Sequence, residues 1–483
     1  MKRFSVKKGF SALLVLVMML ALSVGTSFAE AASADVVVVG GGLAGLTAAI
    51  SATEQGAKVI LVEKMPMTGG SSAYSGGGIS APGSSVQAEF SITDSAEGWH
   101  DLWVERQAQS LNESAQYPDM ERVDAMIEGT PALIEWFKDL GFSHVRPEGY
   151  GVDTVERIHY IATRENGNKG GGAALLKELA EVASEKGVEI RTETKALELV
   201  QAEDGTVTGV VVETANGQET ISAKAVILAA GGFAASPDAL QKYIPSLPPV
   251  TSVASPSNTG DGIEMAVKAG AVLYEDPWVI GLYTGVSPAG ALSRLGYSAN
   301  LYVNAQGERF MNEWQQYSLI TNDVSAQGGV AYSIWDSSNE AVAALIEENL
   351  GENAFKADTF EALAEAAGID AALADTMALY NSDAAAGKDS VFEKDAAFLT
   401  AVETAPYYAI RMVPNIMGTI GGVKTLPTCE VVDADNNPIP GLYAAGENAN
   451  RAFFNQVYMS GGALAIAATT GKIAGAGAAS FAQ

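Results

Sequence analysis

Cysteine is almost missing from this 483-residue chain, where Cys429 stands alone. A single thiol cannot close an internal disulfide or hold a cysteine-ligated cluster, and no CxxCH run offers a c-type haem. Histidine is nearly as scarce, with His100, His144 and His159 only, and no group of residues has metal-ligand spacing. Charged residues make up just 18%, and the 29 basic ones are outnumbered by 57 acidic ones, for a net charge of −28. Such a surface repels nucleic acid and anionic membrane. Beyond the N-terminal stretch, no run is long and apolar enough to span a bilayer.

Apolar material, at 48%, is plentiful enough for a large core and excludes a largely disordered chain. The length predicts two domains. Glycine is unusually frequent at 51 residues and falls in clusters, as it does where backbone must approach a phosphate or a ring. At the N-terminus, Lys2, Arg3, Lys7 and Lys8 precede the apolar run Phe10 to Val24, and Ser27-Phe28-Ala29 supplies small residues for cleavage. This predicts a signal peptide over residues 1–29 and Sec-type export to the periplasm, cell surface or medium, with an uncleaved anchor as the alternative.

The mature chain opens with a β-branched run, Asp35 to Val39, a helical stretch, Leu43 to Gln55, and a second strand, Lys58 to Val62. That order begins a doubly wound α/β fold. A helix is predicted over Ala173 to Glu185, and strands over Leu197 to Val200, Thr208 to Glu213 and Ala225 to Ala229. From about Trp278 to Phe398 the texture turns alanine-rich, with helices predicted at Glu340 to Leu350 and Thr359 to Leu379. The expected architecture is a Rossmann-like domain, 34–277 and 399–483, interrupted by an α+β capping domain, 278–398.

Gly40-Gly41-Gly42-Leu43-Ala44-Gly45 directly follows the first strand. Gly40 permits the tight turn, Gly42 lets amides reach a pyrophosphate, and Gly45 lets the helix pack on the strand. Glu63, at the end of the second strand and followed by Lys64, is placed to accept both ribose hydroxyls of an adenosine. The motif alone does not separate FAD from NAD. A second glycine/serine run, Gly69-Gly70-Ser71-Ser72 and Ser75-Gly76-Gly77, suits a diphosphate and an isoalloxazine edge. Near the far end, Gly446-Glu447 and the helix opening at Gly461-Gly462, with Ala463 and Leu464, could place a positive helix end beneath flavin N1 and O2. Two chain-distant halves shaped for one cofactor indicate FAD.

These segments, together with Ala229-Ala230-Gly231-Gly232-Phe233, Asn258-Thr259-Gly260-Asp261-Gly262, Val303-Asn304, Gly307-Glu308-Arg309-Phe310 and Gly421-Gly422-Val423, resemble the fumarate reductase and succinate dehydrogenase flavoprotein family. The likeness is to its soluble branch, which includes urocanate reductase and the 3-ketosteroid dehydrogenases. It runs from about Ala34 to Gly477. It implies a substrate held between FAD domain and mobile cap, and further FAD contacts at Ala196, Ala230, Gly231 and Asp261. Membrane-bound relatives attach FAD through a histidine in the second glycine run. Ser71-Ser72-Ala73 has none there, implying a non-covalent flavin. With no haem or FMN domain on the chain, the electrons are expected from a separate protein or a flavin or quinone system.

The departures carry as much weight. Fumarate reductases resemble one another in a proton-donating arginine eight residues before the Val-Asn asparagine; here that position is Gly296. Their clamp histidine falls on Gly418, and their arginine before the C-terminal glycines on Met459. Fumarate is therefore an unexpected substrate. In its place stand Tyr458 and Tyr317, similar to the active-site tyrosines of ketosteroid dehydrogenases, with Tyr297 and a shifted Arg294 as further candidates. For each tyrosine, an ordinary packed aromatic is the alternative. Arg451 and Asn455 could line the pocket, and His159 could face it. The expectation is hydride transfer from flavin N5 to an activated C=C bond of an enone or an unsaturated acid other than fumarate. The alternatives are a dehydrogenase of a ketone or steroid-like substrate and a non-catalytic flavin electron carrier.

Overall fold

A computed structural model describes residues 32–112, 116–297 and 301–483; the signal segment 1–29 lies outside the described residues. The central sheet is six-stranded, in the order Glu430–Val432, Pro438–Ala444, Ala225–Leu228, Val36–Val39, Val59–Val62, Glu189–Arg191. All its pairings are parallel except that of the edge strand Glu430–Val432. Both faces are covered, which is why Val36–Val39 and Val59–Val62 read as unbroken apolar runs with every residue buried. The helix Leu43–Glu54 lies against the last helix, Gly462–Phe481. Gly471 and Gly475 make the approach possible, since a Cβ on either would stand 2.4 Å or less from the first helix. A three-stranded meander, Lys195–Gln201, Val207–Thr214 and Gly217–Ser222, packs beside this sheet.

A second sheet is organised on one long strand, Tyr407–Ile420. It pairs with Thr251–Ser252, Trp278–Gly285, Ala331–Asp336 and Ala354–Ala357. The sheet thus runs across both positions, 278 and 398, at which the texture of the sequence changes. The stretch Thr359 to Leu379 is not one helix: Gly368 turns left-handed at φ 69° and separates Phe360–Ala367 from Leu373–Ala386. Arg309, in the Gly307-Glu308-Arg309-Phe310 segment, is structural. It bridges Glu313 and Asp389 at 2.9 Å each, while Lys394 reaches Glu313 at 3.2 Å, all in the interior. No helix among the described residues is long and apolar enough to cross a membrane.

Burial pushes the His144 imidazole down to about 4, helped by His159 beside it. The unfolded chain therefore takes up a proton near pH 6.5 that the folded chain refuses. Stability should be complete above that pH and fall as pH drops through 4, by about 3 kcal/mol from this group. Urea titrations across that range should show the loss, and His144→Gln should flatten it.

Candidate active site

A cleft of about 430 Å³ runs between the two sheets. At one end lie Gly40 to Ala44, the turn and first residues of the helix Leu43–Glu54. Gly42 at the N-cap offers no side chain, and Leu43 N makes only a long bond to Ser72 Oγ, at 3.4 Å, so this helix end can still receive an anion. Glu63 is buried beside it. One carboxylate oxygen accepts from Gly41 N at 2.8 Å and the other from Met65 N at 2.9 Å, fixing the group while leaving lone pairs for a diol. Lys64 Nζ is held by Asp261 at 2.6 Å and Thr259 at 2.7 Å, so both charged partners line the cleft as a pair. Gly70, Ser71, Ser72 and Ser75 to Gly78 form one wall, and Ala196, Ala230 and Gly231 line it elsewhere.

The far end begins at Gly446 and Glu447. Glu447 accepts from Thr419 N at 2.6 Å, Thr419 Oγ1 at 2.9 Å and Asn258 Nδ2 at 3.0 Å. Burial raises its carboxyl, and these bonds oppose the rise. The last helix, also without a side-chain cap, presents Ala463 and Leu464 to the same cleft. Two uncapped helix N-termini facing one elongated cavity, with a fixed carboxylate at one end, fit a dinucleotide carrying a diphosphate and a ring that becomes negative on reduction. Gly42 supplies the room: a Cβ there would meet nothing nearer than 3.9 Å. Gly45, Gly69 and Gly462 do not line the cleft. Gly45 and Gly462 act by packing, and Gly69 by its positive φ of 142°.

Tyrosines dominate the other part of the cleft. Tyr317 opens the helix Tyr317–Ala326, and its neighbours tie it to the chain-distant Tyr458: Gln316 Nε2 donates to Tyr458 O at 2.9 Å, and Tyr458 N donates to Ser318 Oγ at 3.1 Å. The two rings stand 5.8 Å apart, and Tyr317 also meets Tyr150 at 5.7 Å and Tyr283 at 5.4 Å. Tyr297 lines the cleft, packs on Tyr283 at 5.4 Å and is half-exposed. Burial pushes the Tyr458 phenol up to about 12, against backbone amides of Ala463 and Gly461 that pull it down. Burial likewise drives Tyr317 well above its ordinary value.

The pocket residues missed by sequence reasoning include Tyr150, Tyr160, Phe454, Leu282 and Met417, and Tyr283, which packs behind the rings that line it. Tyr150 sits in a hairpin turn, between Gly149 and Gly151, and that local signal was readable. Tyr283 was not readable: it has φ 53° at an irregularity in the pairing of Trp278–Gly285 with Tyr407–Ile420, a strained position that aims its ring at Tyr317.

Several expected residues lie elsewhere. Arg294 is exposed and does not line the cleft, because the short 3₁₀ turn Ala291–Tyr297 points Leu292 and Leu295 inward instead. His159 is buried between Ser84 Oγ at 2.6 Å and Arg157 O at 2.8 Å. Arg451 is wholly buried, donating to the carbonyls of Phe454, Asn455 and Glu275, and Asn455 donates to Asn112 O. Both hold their loop in place, Arg451 also tying it to Glu275 and Asn455 to Asn112. An arginine cannot stand at Gly296 in this backbone, since its Cβ would lie 2.0 Å from Thr284 O. A side chain at Gly418 would press on Glu447 and Ile280. Among the described residues lining the cleft the only cations are Lys64 and Lys195, both beside the ribose carboxylate end.

The family model of the FAD binding domain matches residues 35–464. "Fumarate reductase (cytochrome)" of Shewanella frigidimarina is 34% identical over 461 residues, covering 93% of this chain and 77% of that protein. The chain belongs to the fumarate reductase family of FAD-dependent oxidoreductases. This flavoprotein is also 30% identical to the vinyl phenol reductase of Lactiplantibacillus plantarum, over 86% of this chain and 90% of that one. In structure it is similar to the open conformation of a flavocytochrome c3 fumarate reductase, with a TM-score of 0.74 and 30% identity, covering 100% of this chain and 83% of that one. As a member of the family it is an enzyme acting on CH–CH bonds of small molecules, and the mixed α/β fold is that of its relatives.

Proposed function

We propose that this flavoprotein reduces the electron-poor C=C bond of an aryl-substituted enone, and that it does not reduce fumarate. The observation that carries this reading is the substrate end of the cleft: tyrosines, Phe454, Leu282 and Met417, with no arginine, lysine or histidine among the described residues there. A dicarboxylate entering there would lose its hydration without gaining a charged partner. Aromatic rings and phenol hydroxyls suit an aryl group with one conjugated carbonyl. FAD, when bound, supplies the hydride.

The chain's own residues do the rest. The amides of Leu43 and Ala44 would hold the diphosphate and Glu63 the adenosine ribose, and the helix end at Ala463 and Leu464 would stabilise negative charge on the reduced ring. Tyr458, set against the amides of Gly461 and Ala463, donates a hydrogen bond to the substrate carbonyl. Tyr317 keeps its proton because it is buried, and gives it to the carbon next to that carbonyl.

Neither Cys429 nor any of the three histidines lines the cleft, which supports a flavin held without a covalent bond. Acid precipitation should leave the yellow colour in the supernatant. In this reading the protein is exported through residues 1–29 and receives electrons from a separate donor.

The test is anaerobic. The flavin is reduced chemically, and its return to the oxidised spectrum is followed after adding benzylideneacetone or fumarate. Fast reoxidation by the enone and none by fumarate is the expected result. Reoxidation by fumarate alone would sink the reading, and desaturation of the saturated ketone with a quinone-like acceptor would reverse its direction.

A further inference from the structure

Resting on the reductase reading, we propose that Asp153 and Ser460 form a path that re-supplies Tyr317 with protons from outside the substrate cleft. Tyr317 Oη lies 3.5 Å from Ser460 Oγ, and Ser460 Oγ lies 3.4 Å from Asp153 Oδ2. The other oxygen of Asp153 is fixed by Arg106 at 3.0 Å, and both of these side chains are only slightly exposed, at 12% and 15%. Behind this line is a second, smaller void of about 20 Å³, bounded by Asp153, Ser460, Arg157 and Met459. That is room for one water. One buried donor on its wall, Arg157 Nη1, has no partner in the protein, which such a water would satisfy.

Ser460 is shared with the main cleft, whose other walls around Tyr317 are aromatic and which an aryl substrate would fill, whereas Asp153 lines only the smaller void, so the supply comes from that side. Serine and tyrosine hydroxyls both accept and donate, so one shift of protons along the line restores the phenol. The balance is complete. The substrate gains a hydride from the reduced flavin at one carbon and a proton from the Tyr317 O–H at the other. Tyr317 takes its replacement from Ser460, Ser460 from the carboxyl of Asp153, and Asp153 from a water molecule whose hydroxide is released to the solvent. This line approaches from the FAD-binding side, whereas Gly296 has closed the position where the resemblance would place an arginine.

The test uses Asp153→Asn and Ser460→Ala in the full-length holoenzyme, with benzylideneacetone as acceptor. Protein equilibrated in ordinary water is mixed rapidly with substrate in deuterium oxide. The wild type should place deuterium at the carbon next to the carbonyl of its first product, the position Tyr317 protonates, because the path exchanges Tyr317 quickly. Both variants should place protium there, and should match the wild type in that first turnover. Later turnovers should be slower, on the order of tenfold. Flavin content and melting temperature report folding independently. Deuterium next to the carbonyl in the first product of both variants would overturn the path, as would equal slowing of first and later turnovers, the mark of a merely structural role. If the wild type fails to turn over the enone at all, the reductase reading and the path fall together. Wild-type turnover with unaffected variants removes the path alone.

Discussion

Gly45→Val should yield protein without bound flavin. A Cβ at Gly45 would sit 1.9 Å from the carbonyl oxygen of Gly40 and 3.0 Å from its carbon, so backbone must move. What moves is the turn that carries Gly40, Gly41 and Gly42 and positions the first amides of the helix Leu43–Glu54. Gly40 cannot retreat, because it is itself packed on Ala229 and Ala230. Overpacking of this kind costs roughly 1–3 kcal/mol before the valine methyls are counted, and a loss near the upper figure is about a hundredfold in affinity. Glu63 would also lose its bond to the Gly41 amide. Titration of the apoprotein with FAD, read by quenching of flavin fluorescence, should show this weakening. The control is Gly129→Ala in the helix Met120–Asp139, where a Cβ meets nothing nearer than 3.9 Å. That change should keep the colour and stabilise slightly, by about 0.5–1 kcal/mol.

The cofactor end was legible because its signals are local and its chemistry is backbone chemistry. Strand, glycine turn, helix and strand fall within one or two residues of where the runs Asp35 to Val39, Leu43 to Gln55 and Lys58 to Val62 placed them. The substrate end was not legible to the same degree. Its rings come from a hairpin at Tyr150, a strained strand residue at Tyr283, a helix start at Tyr317 and a loop at Tyr458, and no spacing in the chain records that they meet. Arg451 shows the opposite failure. An arginine in a loop after the Gly446-Glu447 turn reads as a ligand for substrate, yet three backbone carbonyls and the Tyr117 ring at 4.2 Å absorb it completely. The split helix at Gly368 was readable in principle, since a glycine followed by Ile369 and Asp370 is a common helix stop. Alanine-rich flanks on both sides masked it.

Tyr317→Phe should remove most of the chemistry while leaving the flavoprotein intact. The ring stays, and with it the contacts to Tyr150, Tyr283 and Tyr458, so melting temperature and flavin content should match the wild type. Only the hydroxyl goes, and with it the proton that completes the saturated product. Loss of a positioned proton donor costs roughly 10²–10⁴-fold, and that drop should appear in the rate of flavin reoxidation by benzylideneacetone. Burial holds this phenol well above its ordinary value of 10, and its neighbour Tyr458 strengthens the effect. The wild type should therefore show no loss of rate from Tyr317 as pH rises to about 10, whereas a phenol of ordinary acidity would already be half ionised there. The residual rate of the variant should depend on water as the acid. A Tyr317→Phe variant with wild-type rates would mean that Tyr458 alone supplies both the hydrogen bond and the proton, and Ser460 would then have nothing to deliver to.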